Sequence, residues 1–401
     1  MKHIRIQILF FVAVKAVLNT MYRMIYPFLP IIARGLGVDL RTMSLALSIR
    51  AASGALGPLA APLSDRKGRA FGMILGMGLF TVGAAAAFFR SGFALFVLAL
   101  VLTTIGKYVF DPAMQAHLGD IVPFARRGRA LAVTEWGWSS AFILGVPAAG
   151  FLMVRFGWRS PFLVLAGLGF AAAVALKVFF SKKAGPGAVG PEAGTKAAAN
   201  SFGAHMEKYG VVFRSAAARI ALTVIFLGSM ANETVNVVFG VWLEDSFGLK
   251  IAALGAASAV IGLSELGGET LVAGTIDRLG KMRALFLGFG ANTVVSLLLP
   301  LGGGSTGMAL VGLFAFYLTC EFAVVSIIPL MSEILPDARA TLLAFYTAAF
   351  SLGRAAGAGV SPFLYRIGFP AVAFTAVVLD VLALLGLLCL GRLFRAAGRT
   401  P

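Results

Sequence analysis

Twelve apolar runs, each close to the length of a bilayer-crossing helix, alternate with short polar breaks along the chain. They lie near residues 6–30, 42–63, 71–89, 93–116, 129–153, 160–180, 217–242, 251–275, 284–301, 307–330, 340–363 and 370–391. A helix needs roughly 20 apolar residues to cross the hydrocarbon core. The runs do not alternate apolar with polar residues, as the strands of a membrane barrel must. The expected fold is therefore an all-α membrane protein with 12 transmembrane helices. Tight breaks such as Arg90-Ser91-Gly92 and Arg155–Arg159 make consecutive helices antiparallel neighbours. One connection is long: residues 181–213 are rich in Gly, Ala, Lys and Pro and hold no sustained apolar period. They read as a linker, with a short surface helix near 202–213. The expected organisation is a six-helix bundle over 1–180, the linker over 181–213, and a second six-helix bundle over 214–401.

A polar insert recurs once in each half. Ser64-Asp65-Arg66-Lys67-Gly68-Arg69-Ala70 follows the second run, and Ile276-Asp277-Arg278-Leu279-Gly280-Lys281 follows the eighth. Asp65 and Asp277 are 212 residues apart, just over half the chain. A loop repeating at half the length, with its apolar flanks, is the mark of a duplicated membrane bundle.

Composition sharpens this picture. Of 401 residues, 59% are hydrophobic and 13% charged, and the mean hydropathy is +0.91. A soluble domain carries about a quarter charged residues. The first run, after the short basic stretch Met1–Arg5, is too long for a signal-peptide core and no small-residue cleavage site follows, so it reads as a span. A net charge of +17 could point to nucleic acid, but its distribution argues for topology instead. With the N-terminus placed inside, inner segments hold about 21 Lys and Arg, and outer loops about seven. Both termini are expected in the cytoplasm, with the chain in the inner (plasma) membrane. The two cysteines, Cys320 and Cys389, lie in apolar runs and offer neither a disulfide framework nor metal-ligand spacing.

Charges inside the runs cost about 2.5–3.5 kcal/mol each at mid-bilayer, so each calls for a reason. The first half carries Lys15, Arg23, Arg50, Lys107, Asp111 and Glu135; the second carries Glu233, Glu265, Glu269, Glu321, Arg354 and Asp380. The first set is net basic and the second net acidic. Lys15, Asn19 and Arg23 are four apart and share one helix face. Lys107 and Asp111 can pair one turn apart. Glu265 and Glu269 share a face of the eighth run, and two carboxylates one turn apart resist double ionisation, as a proton carrier requires. For each charge a purely structural ion pair is the competing reading. Tyr22, Tyr26, Trp136, Trp138, Tyr317 and Tyr346 are candidate cavity walls, and of Trp136 and Trp138, which face different sides of the helix, one is expected to serve.

Duplicated halves, a long central linker and the acid-Arg-x-Gly-base loop together resemble the Major Facilitator Superfamily of twelve-helix secondary transporters. The family's loop motif is close to Gly-x-x-x-Asp-Arg-x-Gly-Arg-Arg. Asp65, Arg66, Gly68 and Arg69 match it, with Ala61 at the leading glycine and Ala70 at the final base; Asp277, Arg278 and Gly280 keep part of it. The resemblance implies that these residues form a cytoplasmic gate rather than a substrate site. Gly145-Val146-Pro147-Ala148-Ala149-Gly150 is similar to the Gly-Pro-x-x-Gly-Gly motif of drug–proton exchangers, with Gly145, Pro147 and Gly150 as a helix bend. The Arg-x-x-Gln-Gly motif of typical drug exporters is missing from the fourth run. What the resemblance implies is a monomeric transporter of a small amphipathic organic compound, exporting it in exchange for protons by alternating access. It implies no cofactor, no metal and no nucleic acid. Import or exchange of an anionic metabolite is the alternative, for which Arg23, Arg50, Lys107 and Arg354 supply bases. A membrane sensor would need an added soluble domain. An enzyme is disfavoured because no nucleophile–base pair stands within the runs.

Overall fold

A computed structural model describes residues 2–56, 68–89, 92–181 and 209–396. Every regular element among them is helical: α1 (Lys2–Arg23), α2 (Leu29–Leu36), α3 (Leu40–Gly54), α4 (Arg69–Phe88), α5 (Phe93–Ile121), α6 (Phe124–Ser140), α7 (Val146–Phe156), α8 (Ser160–Ser181), α9 (Ala216–Phe247), α10 (Ile251–Leu279), α11 (Lys281–Leu298), α12 (Thr306–Ile334), α13 (Arg339–Ile367) and α14 (Phe369–Ala396). Ten helices among the described residues are long and apolar enough to cross a bilayer, one of them running through α6 and α7. Two expected spans fall outside that set for different reasons. Only the first part of the 42–63 run is described, as the 15-residue α3. The 340–363 run does form a helix, the 29-residue α13, but Arg354, several Ser and Thr, and three glycines dilute its apolar character.

The first run also departs from expectation. It does not continue to residue 30 as one helix: α1 ends at Arg23, a turn covers 24–28, and α2 starts at Leu29. Pro27 has no N–H to donate and disfavours helical dihedrals at Tyr26 before it. Gly240 of α9 lies against the exposed carbonyls of this break: a Cβ there would stand 2.7 Å from the oxygens of Tyr26 and Pro27. Glycine at 240 thus lets the broken segment pack on α9.

The chain packs as two compact units. One comprises residues 1–25 and 56–202, the other residues 26–55 and 203–401. Residues 26–55 therefore pack with the second half of the sequence, whereas the expected organisation placed them in the first bundle. Within the second unit, residues 209–214 are helical, and the rings of Tyr209 and Phe213 stand 5.3 and 5.0 Å from Phe345 of α13.

The duplication seen in the polar loops extends to the backbone. Among the described residues, every positive-φ position is a glycine: Gly37, Gly68, Gly157, Gly248, Gly280 and Gly368. They form three pairs, 37 with 248, 68 with 280, and 157 with 368, each 211 or 212 residues apart. Gly37 and Gly248 end α2 and α9 in the left-handed conformation (φ 69° and 65°). Gly68 and Gly280 open α4 and α11 with φ 94° and 79° and extended ψ, which a side chain rarely tolerates. Arg69 then pairs with Asp120 at the end of α5 (3.6 Å), and Lys281 pairs with Glu333 at the end of α12. Close helix approach repeats too. A Cβ on Gly76 of α4 would meet the Gly106 carbonyl of α5 at 2.6 Å, and one on Gly288 of α11 would meet Ala323 of α12 at 2.8 Å.

Candidate functional site

The first unit gathers its buried charges along α1. Lys15, Asn19 and Arg23 all lie on one face, as their spacing predicts, and all are buried. Each reaches α6: Lys15 Nζ donates to Glu135 Oε1 at 2.8 Å, Asn19 Nδ2 to the Gly137 carbonyl at 3.3 Å, and Arg23 Nη1 to the Trp138 carbonyl at 3.4 Å. The helices approach closely because residue 137 is glycine; a Cβ there would sit 2.6 Å from Lys15 Cβ. The Arg23 guanidinium lies 4.2 Å from the Trp138 ring centre and 3.6 Å from that of Phe142. Such desolvated cation–π contacts are worth about 2 kcal/mol. The Tyr22 ring stands 6.3 Å from that of Trp138, whereas Trp136 is 56% exposed. Lys107 and Asp111 form the expected pair within α5, and the Lys107 ammonium lies 5.8 Å from the Trp138 ring. Trp138 is thus the side chain around which the charges of this unit collect.

The bend motif acts on the same face. Residues Ala141–Gly145 form a π-turn, in which the Val146 N–H reaches back to the Ala141 carbonyl. Pro147 follows in the first turn of α7. Widening the turn removes the clash that a proline ring makes with the carbonyl four residues earlier. Gly145 admits Thr20 of α1, whose hydroxyl oxygen would lie 1.9 Å from a Cβ at that position. Gly150 is buried in α7.

The second unit holds a tighter cluster, centred on a residue from the break after α1. Tyr26 Oη accepts a hydrogen bond from Arg50 Nη2 of α3 and another from Arg354 Nη2 of α13, both at 2.6 Å. It donates its own proton to Glu233 Oε1 of α9 at 2.7 Å. Arg354 Nη2 also pairs with Glu233 Oε2 at 2.8 Å. Asn236 Nδ2 adds a bond to the same oxygen at 3.2 Å, and Tyr317 of α12 donates to Asn236 Oδ1 at 2.9 Å. All six residues are at most 8% exposed. Buried charges of this kind hold together only when paired and hydrogen-bonded. Further along the same helices Arg34 pairs with Glu244 at 2.7 Å, and Tyr365 donates to Asp245 at 2.9 Å; these pairs are exposed and worth about 0–1 kcal/mol.

Further acids of the second unit lie on α10, α12 and α14. Glu265 is buried and Glu269 half-buried on α10, with Glu321 half-buried on α12. Gly268 brings the two helices together; a Cβ there would meet Glu321 Cβ at 2.9 Å. Asp380 of α14 is 1% exposed and accepts a hydrogen bond from Asn292 Nδ2 of α11 at 2.7 Å. Asn292 and Thr319, its partner on α12 at 2.9 Å, carry no charge and so gave no sequence signal. Tyr26 was visible only as one of several candidate wall residues.

Of the expected gate residues, Asp65 and Arg66 lie outside the described residues. Gly68 and Arg69 open α4 as described above; Asp277 and Arg278 are exposed in the last turn of α10, before Gly280. Among the described residues no group of three or more His, Cys, Asp or Glu could hold a metal ion.

The model of the Major Facilitator Superfamily matches residues 11–331. Along 365 residues the chain is 25% identical to the uncharacterized MFS-type transporter YwfA of Bacillus subtilis, covering 89% of this chain and 85% of that protein. It is 22% identical over 262 residues to multidrug resistance protein 2 of the same organism, covering 65% and 64% of the two chains. A 165-residue stretch is 32% identical to the inner membrane transport protein YdhP of Escherichia coli K12, covering 41% and 42%. Among solved structures, the peptide transporter POT in complex with sulfate superposes with a TM-score of 0.72 over 96% of this chain and 95% of that one, at 18% identity. That likeness is one of fold.

Proposed function

The chain belongs to the Major Facilitator Superfamily, and from that premise we propose that this integral membrane transporter exports a small amphipathic organic compound in exchange for protons. It does so by alternating access, with both termini in the cytoplasm and no cofactor. The observation that carries the alternating-access reading is the Tyr26 cluster. Tyr26 and Arg50 come from before the linker, Glu233 and Arg354 from after it, and the four side chains close on one another in a buried knot. Such a knot can hold one arrangement of helices and be exchanged for another, because charge pairs are discrete and packed helices slide or hinge as units. We assign a cytoplasmic gating role to Asp65, Arg66, Gly68, Arg69, Asp277, Arg278 and Gly280, on their likeness to the family's loop motif.

Trp138, Phe142 and Tyr22, with Arg23 and Lys107 beside them, give the first unit an aromatic wall with fixed charges. That chemistry suits a flat, partly apolar guest held by stacking and one ionic contact. The relative named multidrug resistance protein 2 favours export over import. Lys15, Asn19, Asp111 and Glu135 would then hold Arg23 and Lys107 in position, and the acids Glu265, Glu269, Glu321 and Asp380 supply candidates for the proton.

The test is accumulation of labelled amphipathic compounds, ethidium among them, in everted vesicles acidified inside. Accumulation that depends on the chain and collapses with a protonophore supports the reading. Equal uptake with and without the imposed gradient contradicts it. A second reading, exchange of an anionic metabolite, draws on the two guanidinium groups, of Arg50 and Arg354, that meet at the Tyr26 hydroxyl. Counterflow of a labelled organic anion, unaffected by the pH gradient, would favour it.

A further inference from the structure

The crossing of α11 with α14 is unlike its counterpart in the first unit. There, α4 and α8 meet with Gly169 against the ring of Phe80; a Cβ on Gly169 would stand 2.8 Å from Phe80 Cδ1. Moving 211 residues on from Gly169 and 212 on from Phe80, the spacings of the paired glycines, gives Asp380 and Asn292. The duplicated fold therefore closes this crossing once with glycine and phenylalanine and once with an acid and an amide. Packing does not require the acid.

We propose that Asp380 is a proton-binding site of the transporter, read out through Asn292 and Thr319. The proposal deepens, and rests on, the proton-coupled reading above. Asp380 is 1% exposed, and among the described residues it makes no ion pair. Its Oδ2 takes one neutral hydrogen bond, from Asn292, and its Oδ1 has no hydrogen-bond partner. A carboxyl so placed is held most cheaply with its proton on, because burial penalises the charge and nothing nearby compensates it. Among the described residues, no cation of the helices packed against α14 forms an ion pair with Asp380. α9 brings Glu233, which is paired with Arg354 of α13. α11 brings Lys281 and Arg283, the nearer of them nine residues or about 13 Å along the helix from Asn292. The turn at Leu299–Gly304 carries no ionisable group. On α12, the Cys320 thiol lies in the field of Asp380 together with Glu321 and with Glu265 of α10. These neighbours are acidic, and they add a further reason for one carboxyl to keep its proton.

The readout follows from donor counting. Thr319 has one hydroxyl proton and three acceptors within reach: Asn292 Oδ1 at 2.9 Å and its own helix carbonyls at Ala315 (2.8 Å) and Phe316 (3.1 Å). When Asp380 is ionised, the chain Thr319 O–H to Asn292 carbonyl, Asn292 N–H to carboxylate, is polarised end to end and all three side chains are held. When Oδ1 takes up a proton from water, the Asn292 bond weakens to a neutral one and the Thr319 hydroxyl can return to its own helix. Proton uptake thus loosens α12 from α11, and proton loss to water tightens them.

The experiment is infrared spectroscopy of the full-length reconstituted protein as the buffer is changed between about pH 5 and about pH 9, a range that brackets a perturbed carboxyl. A protonated-carboxyl carbonyl band that disappears in Asp380→Asn and moves in frequency in Asn292→Ala is expected. The paired variant Asp380→Gly with Asn292→Phe copies the first-unit crossing; it should keep the wild-type melting temperature and lack the band. A band that persists unchanged in Asp380→Asn, or no such band in the wild type, overturns the proposal. That failure is separate from failure of the export reading, which shows as absent proton-driven accumulation in vesicles.

Discussion

Replacing Tyr26 by Phe removes one oxygen and leaves the ring, so it isolates the hub of the second-unit cluster. The hydroxyl serves three charged partners: it accepts from Arg50 and Arg354 and donates to Glu233. Hydrogen bonds to charged groups are worth about 1.5–3 kcal/mol each. Arg354 and Glu233 keep their direct pair at 2.8 Å, and Asn236 still donates to Glu233. The bonds lost are therefore the Arg50 contact and one bond to Glu233, together about 3 kcal/mol. At about 1.4 kcal/mol per factor of ten, the closed arrangement loses roughly 150-fold in equilibrium weight. The assay is maleimide labelling of Ser44→Cys, a buried position on α3, in a background carrying Cys320→Ser and Cys389→Ser. Labelling should accelerate by about two orders of magnitude in Tyr26→Phe. A rate within about twofold of the parent would refute the idea that this hydroxyl holds α3 against α13.

Three further outcomes follow from local structure. Asp111→Asn leaves the half-buried Lys107 without its hydrogen-bonded counter-charge and should cost about 3 kcal/mol in thermal unfolding, while Lys107→Met with Asp111→Leu should recover most of it; if the double variant keeps its stability but loses transport, the pair is functional rather than structural. Gly280→Ala must adopt φ 79° with ψ 145° and should cost about 1–3 kcal/mol, whereas Gly37→Asn, in the left-handed well at φ 69°, should cost less than about 1 kcal/mol; equal melting losses would refute the backbone argument. Asp39 caps α3, and its hydrogen bonds from Thr42 hold its carboxyl below the ordinary aspartate value. Its contribution is complete above that ordinary value, about 3.9, and is lost as pH falls through the folded one. Asp39→Asn should keep the cap and remove this acid-side loss, so parallel melting curves of wild type and variant down to about pH 3 would contradict it.

Much of this architecture was legible in the sequence because apolar length and loop spacing are direct consequences of the bilayer. The duplicated acid-Arg loops forecast the paired glycines at 68 and 280, and the four-residue spacing of Lys15, Asn19 and Arg23 forecast their common face. The break at residues 24–28 was readable in principle from Pro27 and Pro30, but a run of apolar residues masked it. Tyr26 escaped as a hub because its partners lie 24, 207 and 328 residues away, distances at which no periodicity speaks. Asn292 and Thr319 escaped because neutral polar residues are common in membrane helices; only the acid beside them was conspicuous. Of the twelve runs, two are not among the ten helices of spanning character: the 42–63 run is described only in its first part, and Arg354 with the Ser, Thr and Gly residues of α13 weakens the signal that run length carries.

Coupled movement of compound and proton is the central claim, and it can be watched without imposing any pH gradient. Proteoliposomes containing the full chain and a trapped pH-sensitive dye are given an inward gradient of a compound that the vesicle screen has shown to be accepted. Exchange predicts that the lumen turns alkaline as the compound enters and protons leave, at a rate that falls to the protein-free leak in Tyr26→Phe vesicles. Entry of the compound at full rate with no change in luminal pH would contradict the account.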